Sequence, residues 1–455
     1  MKKTLLLLLS LIILLSALTA CGNEPGVDKP EAGTEHLSDD TVSSEPVTIR
    51  FFTINYDRSN GEGLVEQMIM DSYVAKNPHV TIEVEALENE TYKLTFEAYA
   101  AEKDLPDILY VWGFDAFMAP LVSDGLLSGL NKDDYEGYSF SDASLAPFIY
   151  GDKLFGLPRS TDFYIVYYNK KIFEDYGLYI PETFEELMML SADLRDEGIM
   201  PNAINGREAW GLAVLFNHLY IHYTADYGGE RINNIITTRS ERFADYPEFL
   251  EVARRLLLLA ENDFFQDGYL ASDYNEMVSL FTSGQTAMMY MGNWLTSLAF
   301  DESLSLEFRD NLSAFHLPAA IGDKGRSTDM AAFVGGGYSI AAHSPVKDEA
   351  IKFLNYMLEP SNWNRLIWEN AGMISGQDML PFVDENQLTG IQGNALEIMN
   401  SITNMTGQMY VEVGSPRFKT DAQDLILKLV SGIFTPEEFV TAMDEAADRS
   451  FEAMR

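Results

Sequence analysis

Apolar and polar positions begin to alternate in an orderly way at Val47. Val47-Thr48-Ile49-Arg50-Phe51-Phe52 reads as a strand. From Gly63 to Lys76 apolar residues recur at helical spacing (Leu64 with Met68, Val65 with Ile69), and Asn77-Pro78 ends the pattern. Val80 to Val84 alternates as a strand, and Tyr92 to Glu102 reads as a helix. Ile108 to Trp112 is a continuous apolar run after Pro106-Asp107, as expected of a buried strand. The order strand–helix–strand–helix–strand predicts an α/β lobe with parallel pairings.

A second α/β lobe is predicted after Gly156. Phe163 to Tyr168 is a bulky strand, and Thr183 and Glu186 have capping-box spacing ahead of a helix that runs to about Glu197. Helical patterns follow around 247–261 and 273–283. Val334 to Ala342 reads as a glycine-rich strand, and Val346 to Leu358 as a helix with Ala350, Phe353, Leu354 and Met357 on one face. Thr435-Pro436-Glu437-Glu438 opens the last helix, with Thr as cap, Pro in the first turn and Glu closing the box.

The residues before Val47 follow different rules. Lys2 and Lys3 precede an apolar run from Leu5 to Leu15 broken only by Ser10, the length of a secretory leader and short for a membrane span. Leu18-Thr19-Ala20-Cys21 then resembles the lipobox of bacterial lipoproteins, which implies cleavage after residue 20 and lipidation of Cys21. Two acyl chains give stable anchoring at ~0.8 kcal/mol per buried CH₂. Residues 21–46 are rich in Glu, Asp, Ser, Gly and Pro and carry no aromatic residue, so they read as an acidic flexible tether.

Composition narrows the chemistry. A chain of 455 residues exceeds a single core and suggests about two to three domains. A formal net charge of −39 repels phosphate backbones and argues against nucleic acid as a partner. Cys21 is the one cysteine, so neither an intramolecular disulfide nor a cysteine metal site is available. His218 and His222 have i, i+4 spacing, but Leu219 stands where a metalloprotease helix needs Glu, and no third ligand is evident. Gly335-Gly336-Gly337 lacks the lysine and hydroxyl of a P-loop, and no G-x-S-x-G elbow occurs. No cofactor and no enzyme activity are expected; a glycosidase pair among the many carboxylates is the enzymatic alternative.

Binding fits better. A sugar offers apolar C–H faces and a rim of hydroxyls, so its site needs flat aromatic platforms and planar polar groups. Trp112 ends a predicted strand three residues before Asp115, where α/β sheets place ligand contacts. Trp294 follows Gly292-Asn293. Trp210, Trp363 and Trp368 read more readily as core.

Five stretches, in order along the chain, resemble the family 1 extracellular solute-binding proteins of ABC importers, which include the maltodextrin binders. They are Leu105-Pro106-Asp107-Ile108 with Trp112-Gly113-Phe114-Asp115; Gly156-Leu157-Pro158 with Tyr167-Tyr168-Asn169-Lys170; Gly284-Gln285-Thr286-Ala287-Met288 with Gly292-Asn293-Trp294; Gly335-Gly336-Gly337-Tyr338; and the capped last helix. The resemblance implies a two-lobed, periplasmic-binding-protein-like α/β fold with a hinge crossed several times and ligand in the cleft between lobes. It places the N-terminal lobe at 47–157 plus 336–398 and the C-terminal lobe at 159–334 plus 400–455.

By the same resemblance, Trp112 and Asp115 match an N-lobe stacking tryptophan and a hydroxyl-binding carboxylate. Asp162, seven residues before Asn169, matches an acidic sugar ligand, and Tyr220 falls near the cleft aromatics. Trp294, with Asn293 before it, matches the C-lobe stacking tryptophan, and Gly336 lies on the hinge side. Two departures bear on ligand identity: Gly372 to Gly376 replaces a proline-containing loop, and no tryptophan occurs around Gly414 to Phe418. The expected protein is a monomeric lipoprotein on the outer face of a bacterial cell membrane, capturing a sugar or oligosaccharide for permease subunits. The alternative is the same fold binding a peptide, polyamine or other small molecule. Asp115 and Asp162, without a matched arginine, argue against an anionic ligand.

Overall fold

The computed structural model describes residues 45–226, 229–384, 388, 390–405 and 414–453. Cys21, the leader and nearly all of the tether lie outside these residues. Among the described residues no helix is long and apolar enough to cross a membrane.

The first sheet grows from the opening alternation. β1 (Val47–Thr53) pairs in parallel with β2 (Val80–Ala86) on one side and β3 (Ile108–Trp112) on the other. The intervening helices, α1 (Gly61–Lys76) and α2 (Asn89–Glu102), return the chain for each parallel pairing. Asn60 starts α1 by accepting the Gly61 N–H on its side chain. Beyond β3 the sheet turns antiparallel: β10 (Gly336–Ile340) pairs with β3, and β4 (Leu157–Pro158) pairs with β10.

The second sheet is built on β5 (Asp162–Asn169), whose neighbours β7 (Thr286–Gly292), β8 (Leu312–Phe315) and β9 (Ala332–Phe333) all run antiparallel to it. β6 (Met200–Ala203) joins β7 in parallel. Helices α4 (Phe184–Asp196), α5 (Trp210–Thr224), α6 (Pro247–Glu261) and α7 (Tyr274–Thr282) follow in order, after α3 (Asp115–Ser123) of the first lobe. At α4 the Thr183 hydroxyl accepts the Glu186 N–H at 3.2 Å, but the Glu186 carboxylate takes the N–H of Glu182, so the expected box is displaced by one residue. At the last helix the box is complete: Thr435 Oγ1 accepts from Glu438 N at 3.2 Å and Glu438 Oε2 accepts from Thr435 N at 2.9 Å.

Each sheet has its own core. Ile49, Phe51, Ile108, Leu109, Tyr338 and Phe353 belong to the first; Phe163, Ile165, Tyr167, Leu215, Phe281 and Met289 belong to the second. The helices α8 (Lys347–Leu358) and α9 (Trp363–Ala371) bring the chain back to the first core through Trp363, and Trp368 already packs on the second. Ile374, Met379, Ile391 and Ile398, read with the N-terminal lobe from the sequence, pack on the second core, while Gln377 and Asp378 between them still bond to Leu358 and Ser139 of the first lobe. The cause is local: Asn394, on α10 (Gly390–Ser401), accepts the Ala314 N–H at 2.6 Å and so docks the helix on β8.

The chain passes between the cores at 159–161, at 334–335 and after Gly372. These segments lie side by side. Arg159 N donates to Gly336 O at 3.0 Å, Gly376 N donates to Arg159 O at 3.1 Å, and Ser160 bridges Ser375. Trp363 Nε1 donates to the same Arg159 carbonyl at 2.8 Å.

Candidate functional site

A cleft of about 740 Å³ opens between the two cores. Its first wall comes from the rim loop after β1 (Asn55, Tyr56, Asp57), from Glu62 of α1, from Glu90, Lys93 and Leu94 of α2, and from Tyr110 and Trp112 of β3. Its second wall comes from Asp162 and Tyr164 of β5, from Trp210, Tyr274 and Trp294, and from Lys419 and Gln423 of α11 (Pro416–Val430).

Trp112 projects from the last position of β3. Its ring meets Phe117 at 5.0 Å, Tyr110 at 5.1 Å and Tyr92 at 5.7 Å, all edge to face. The Lys93 ammonium, held by Glu90 at 2.6 Å, lies 5.6 Å from the ring centroid. Trp294 meets Tyr164 edge to face at 5.4 Å, and its indole N–H donates to Tyr274 Oη at 3.0 Å. Both tryptophans are half-buried and pack against both cores. Aromatic faces held this way suit the C–H faces of a ring-shaped polar ligand.

Asp162 is 4% exposed, and its Oδ1 accepts the Ser160 hydroxyl at 2.7 Å. Burial pushes its carboxyl above the ordinary range, opposed by the positive charge of Arg159. A Cβ at Gly335 would overlap the second oxygen of Asp162, so only glycine lets the crossing chain run against that carboxylate. Arg159 lines the cleft floor. It forms an ion pair with Glu62, and its Nη2 donates to Tyr110 Oη at 2.9 Å. This cation is absent from the sequence reading, and it is committed within the protein.

The cleft therefore brings together Trp112, Asp162 and Trp294. The other sequence-derived candidates lie elsewhere. Asp115 opens α3 and accepts the Tyr150 hydroxyl at 3.2 Å; it is not among the residues that line the cleft, although Phe114 and Ala116 on either side are. Tyr220 is fully buried in the second core, stacked on Phe249 at 4.7 Å, with Arg231 donating to its hydroxyl at 2.8 Å. Asn293 is turned inward: its amide donates to Thr161 O at 3.1 Å and its oxygen accepts from Phe163 N at 3.2 Å. It positions the turn carrying Trp294. Gly336 sits behind the wall, opposite Trp112 in the ladder, where a Cβ would collide with Tyr110 Oη. Tyr56 and Tyr274 enter the wall unannounced, and Trp210, read as core from the sequence, is only partly buried against the second core and lines the cleft as well. A tryptophan directly before Gly211 at a helix start was the available signal for Trp210, whose buried indole N–H has no partner among the described residues.

The histidine pair is structural. His218 Nε2 and His222 Nε2 both donate to the Asp329 carbonyl, at 3.2 and 3.1 Å, and His218 Nδ1 meets Tyr290 Oη at 2.9 Å. Burial pushes both imidazoles down, His222 to about 4, so both are neutral.

Residues 59–362, well over half of the chain, match the family described as bacterial extracellular solute-binding protein. A curated relative, the multiple sugar-binding protein of Streptococcus mutans, is 22% identical over 326 residues, covering 69% of this chain and 71% of its own. A chitin oligosaccharide binding protein superposes with a TM-score of 0.78 at 21% identity, over 90% of this chain and 100% of its own. A protein solved in work on xylan utilisation by Caldanaerobius polysaccharolyticus also gives 0.78, at 22% identity over 88% of this chain and 99% of its own. At these identities the solved structures establish the two-lobed α/β fold. The chain belongs to the bacterial extracellular solute-binding protein family.

Proposed function

We propose that the protein captures a sugar or oligosaccharide in this cleft and presents it to the permease of an ABC importer. The observation that carries the reading is the pairing of Trp112 and Trp294, contributed by different sheets and facing one cavity with the buried carboxylate of Asp162 beside them. The cavity falls in the range of roughly 300–1,000 Å³ typical of sites that enclose most of a small ligand. Relatives named for multiple sugars and for chitin oligosaccharides support the same class. Lipidation of Cys21 would tether the lobes to the outer face of the membrane, and a monomer suffices, since one chain supplies both walls. Ligand affinity for the closed arrangement then drives closure.

The protein acts without chemistry in this reading. Three of the cleft carboxylates are engaged within the protein: Glu62 with Arg159, Glu90 with Lys93, and Glu88 with the N-terminus of α2. The test is a melting-temperature screen with glucose, maltotriose, xylotriose, chitotriose and raffinose, followed by chromatography after prolonged incubation. A binder at a hundredfold excess over Kd stabilises by about 2.7 kcal/mol and leaves the saccharide intact. Shortened products would show a hydrolase, and a flat screen would remove sugars of these classes.

A further inference from the structure

Glu66 is a carboxylate with no exposure, in the middle of α1. Helix packing does not call for a charge there, because Val65, Ile69 and Met70 already bury α1 against the first sheet. Burying a carboxylate is unfavourable unless donors surround it. Four do. Thr53 Oγ1 donates to it at 3.0 Å, and Asn55 Nδ2, Tyr338 Oη and the Arg58 guanidinium complete the set. Two of these donors, Asn55 and Arg58, belong to the loop 54–60 that carries the cleft rim; Thr53 ends β1 just before it, and Tyr338 is on β10, the strand that leaves the crossing at 334–335. A second contact presses the same loop on the helix: a Cβ at Gly63 would overlap the Asp57 carbonyl.

The rim loop in turn reaches the other lobe. Tyr56 is half exposed, lines the cleft, and donates its hydroxyl to Asn275 Oδ1 of α7 at 2.8 Å. The loop is thus held from beneath by Glu66 through Asn55 and Arg58, pressed on α1 through Asp57, and joined across the mouth by Tyr56.

We propose that Glu66 is a positioning residue that holds loop 54–60 as a clasp, setting Tyr56 to close on Asn275 over a bound ligand. This deepens the binding reading and rests on the cleft being the ligand site. Glu66 itself touches no ligand; it acts through the loop.

Two measurements test it. Hydrogen exchange on unliganded wild type and Glu66→Gln reports the loop directly. Exchange across residues 54–60 is expected to quicken at least tenfold while the β5 amides keep their wild-type rates. Unchanged loop exchange, or an increase spread evenly over both lobes, overturns the proposal, because a merely structural Glu66 would act on global stability alone. Dissociation of maltotriose, xylotriose, chitotriose and raffinose from Tyr56→Phe forms the second arm, with a fivefold or faster release expected for whichever binds wild type. Release at the wild-type rate overturns the clasp. If none of the four binds wild type, the sugar reading fails, and the exchange experiment still decides the role of Glu66.

Discussion

Replacing Trp112 with alanine should cost both stability and affinity, and the geometry gives the size of each. A ring standing free in the cleft would leave the unliganded protein untouched. Trp112 does not stand free: it is half-buried and makes three edge-to-face contacts, at 5.0, 5.1 and 5.7 Å. Such pairs contribute about 0.5–1.5 kcal/mol each beyond their buried area. Full truncation of a wholly buried tryptophan costs about 3–5 kcal/mol, so the half-buried ring should cost roughly 2–3. At about 2–4 °C per kcal/mol for domains of 150–250 residues, the unliganded melting temperature should fall by about 4–12 °C. A stacked aromatic in a desolvated site is a hot spot of about 2 kcal/mol or more. That corresponds to roughly thirtyfold in Kd. Trp112→Phe retains a face and should lie between wild type and alanine on both scales. Calorimetry on unliganded protein gives the first number, and titration well below the melting transition with a saccharide chosen by the screen gives the second. A variant that melts early but binds with wild-type affinity would falsify the placement of Trp112 in the ligand site.

Three further outcomes are expected. Because burial holds His222 at about 4 against an ordinary value near 6.5, and depresses His218 too, their unfolded forms take up protons first. Stability is then fully present above about pH 6.5 and is lost as pH falls toward about 4, by about 3 kcal/mol for His222 alone; imidazole NMR showing His222 protonated at pH 6 in folded protein would sink this. Gly336→Ala should destabilise by about 1–3 kcal/mol, since its methyl group collides with Tyr110 Oη, and an unchanged melting temperature would contradict that packing. Cys21→Ser should move the protein from the membrane fraction to the soluble fraction or block its processing, and continued fractionation with membranes would exclude Cys21 as the anchor.

Much of the fold is local and so could be read along the chain. β1, β2 and β3 follow from period-two alternation or an unbroken apolar run, and the last helix follows from Thr435, Pro436 and Glu438. Trp112 and Trp294 were legible as strand-end aromatics, Trp112 closing β3 just before Gly113 and Trp294 lying two residues past Gly292, the end of β7. The misplaced residues share a different cause. α5 is buried on nearly every side, so its periodicity marks no face, and nothing local says that Tyr220 stacks on Phe249 of α6. Asn293 and Trp294 are adjacent yet point opposite ways, which only the pairing of Asn293 with Thr161 and Phe163 decides. Tyr56 and Arg159 join the cleft through partners 219 and 97 positions away, Asn275 and Glu62, a relation no window along the chain contains.

The side-by-side crossings at 159–161, 334–336 and 375–376 have a mechanical consequence. A single tether would leave one lobe free to swivel, twist and bend relative to the other. Here the three segments are stitched through both backbone groups of Arg159, which donates to Gly336 and accepts from Gly376, with Trp363 Nε1 on the same carbonyl. Swivelling or twisting would shear those hydrogen bonds; flexing across the ribbon leaves them intact. These bonds predict that relative motion of the lobes is concentrated in a single bending coordinate. Any single distance between a point on one lobe and a point on the other becomes a sufficient coordinate, so one dye pair placed away from the cleft would act as a calibrated ruler of occupancy.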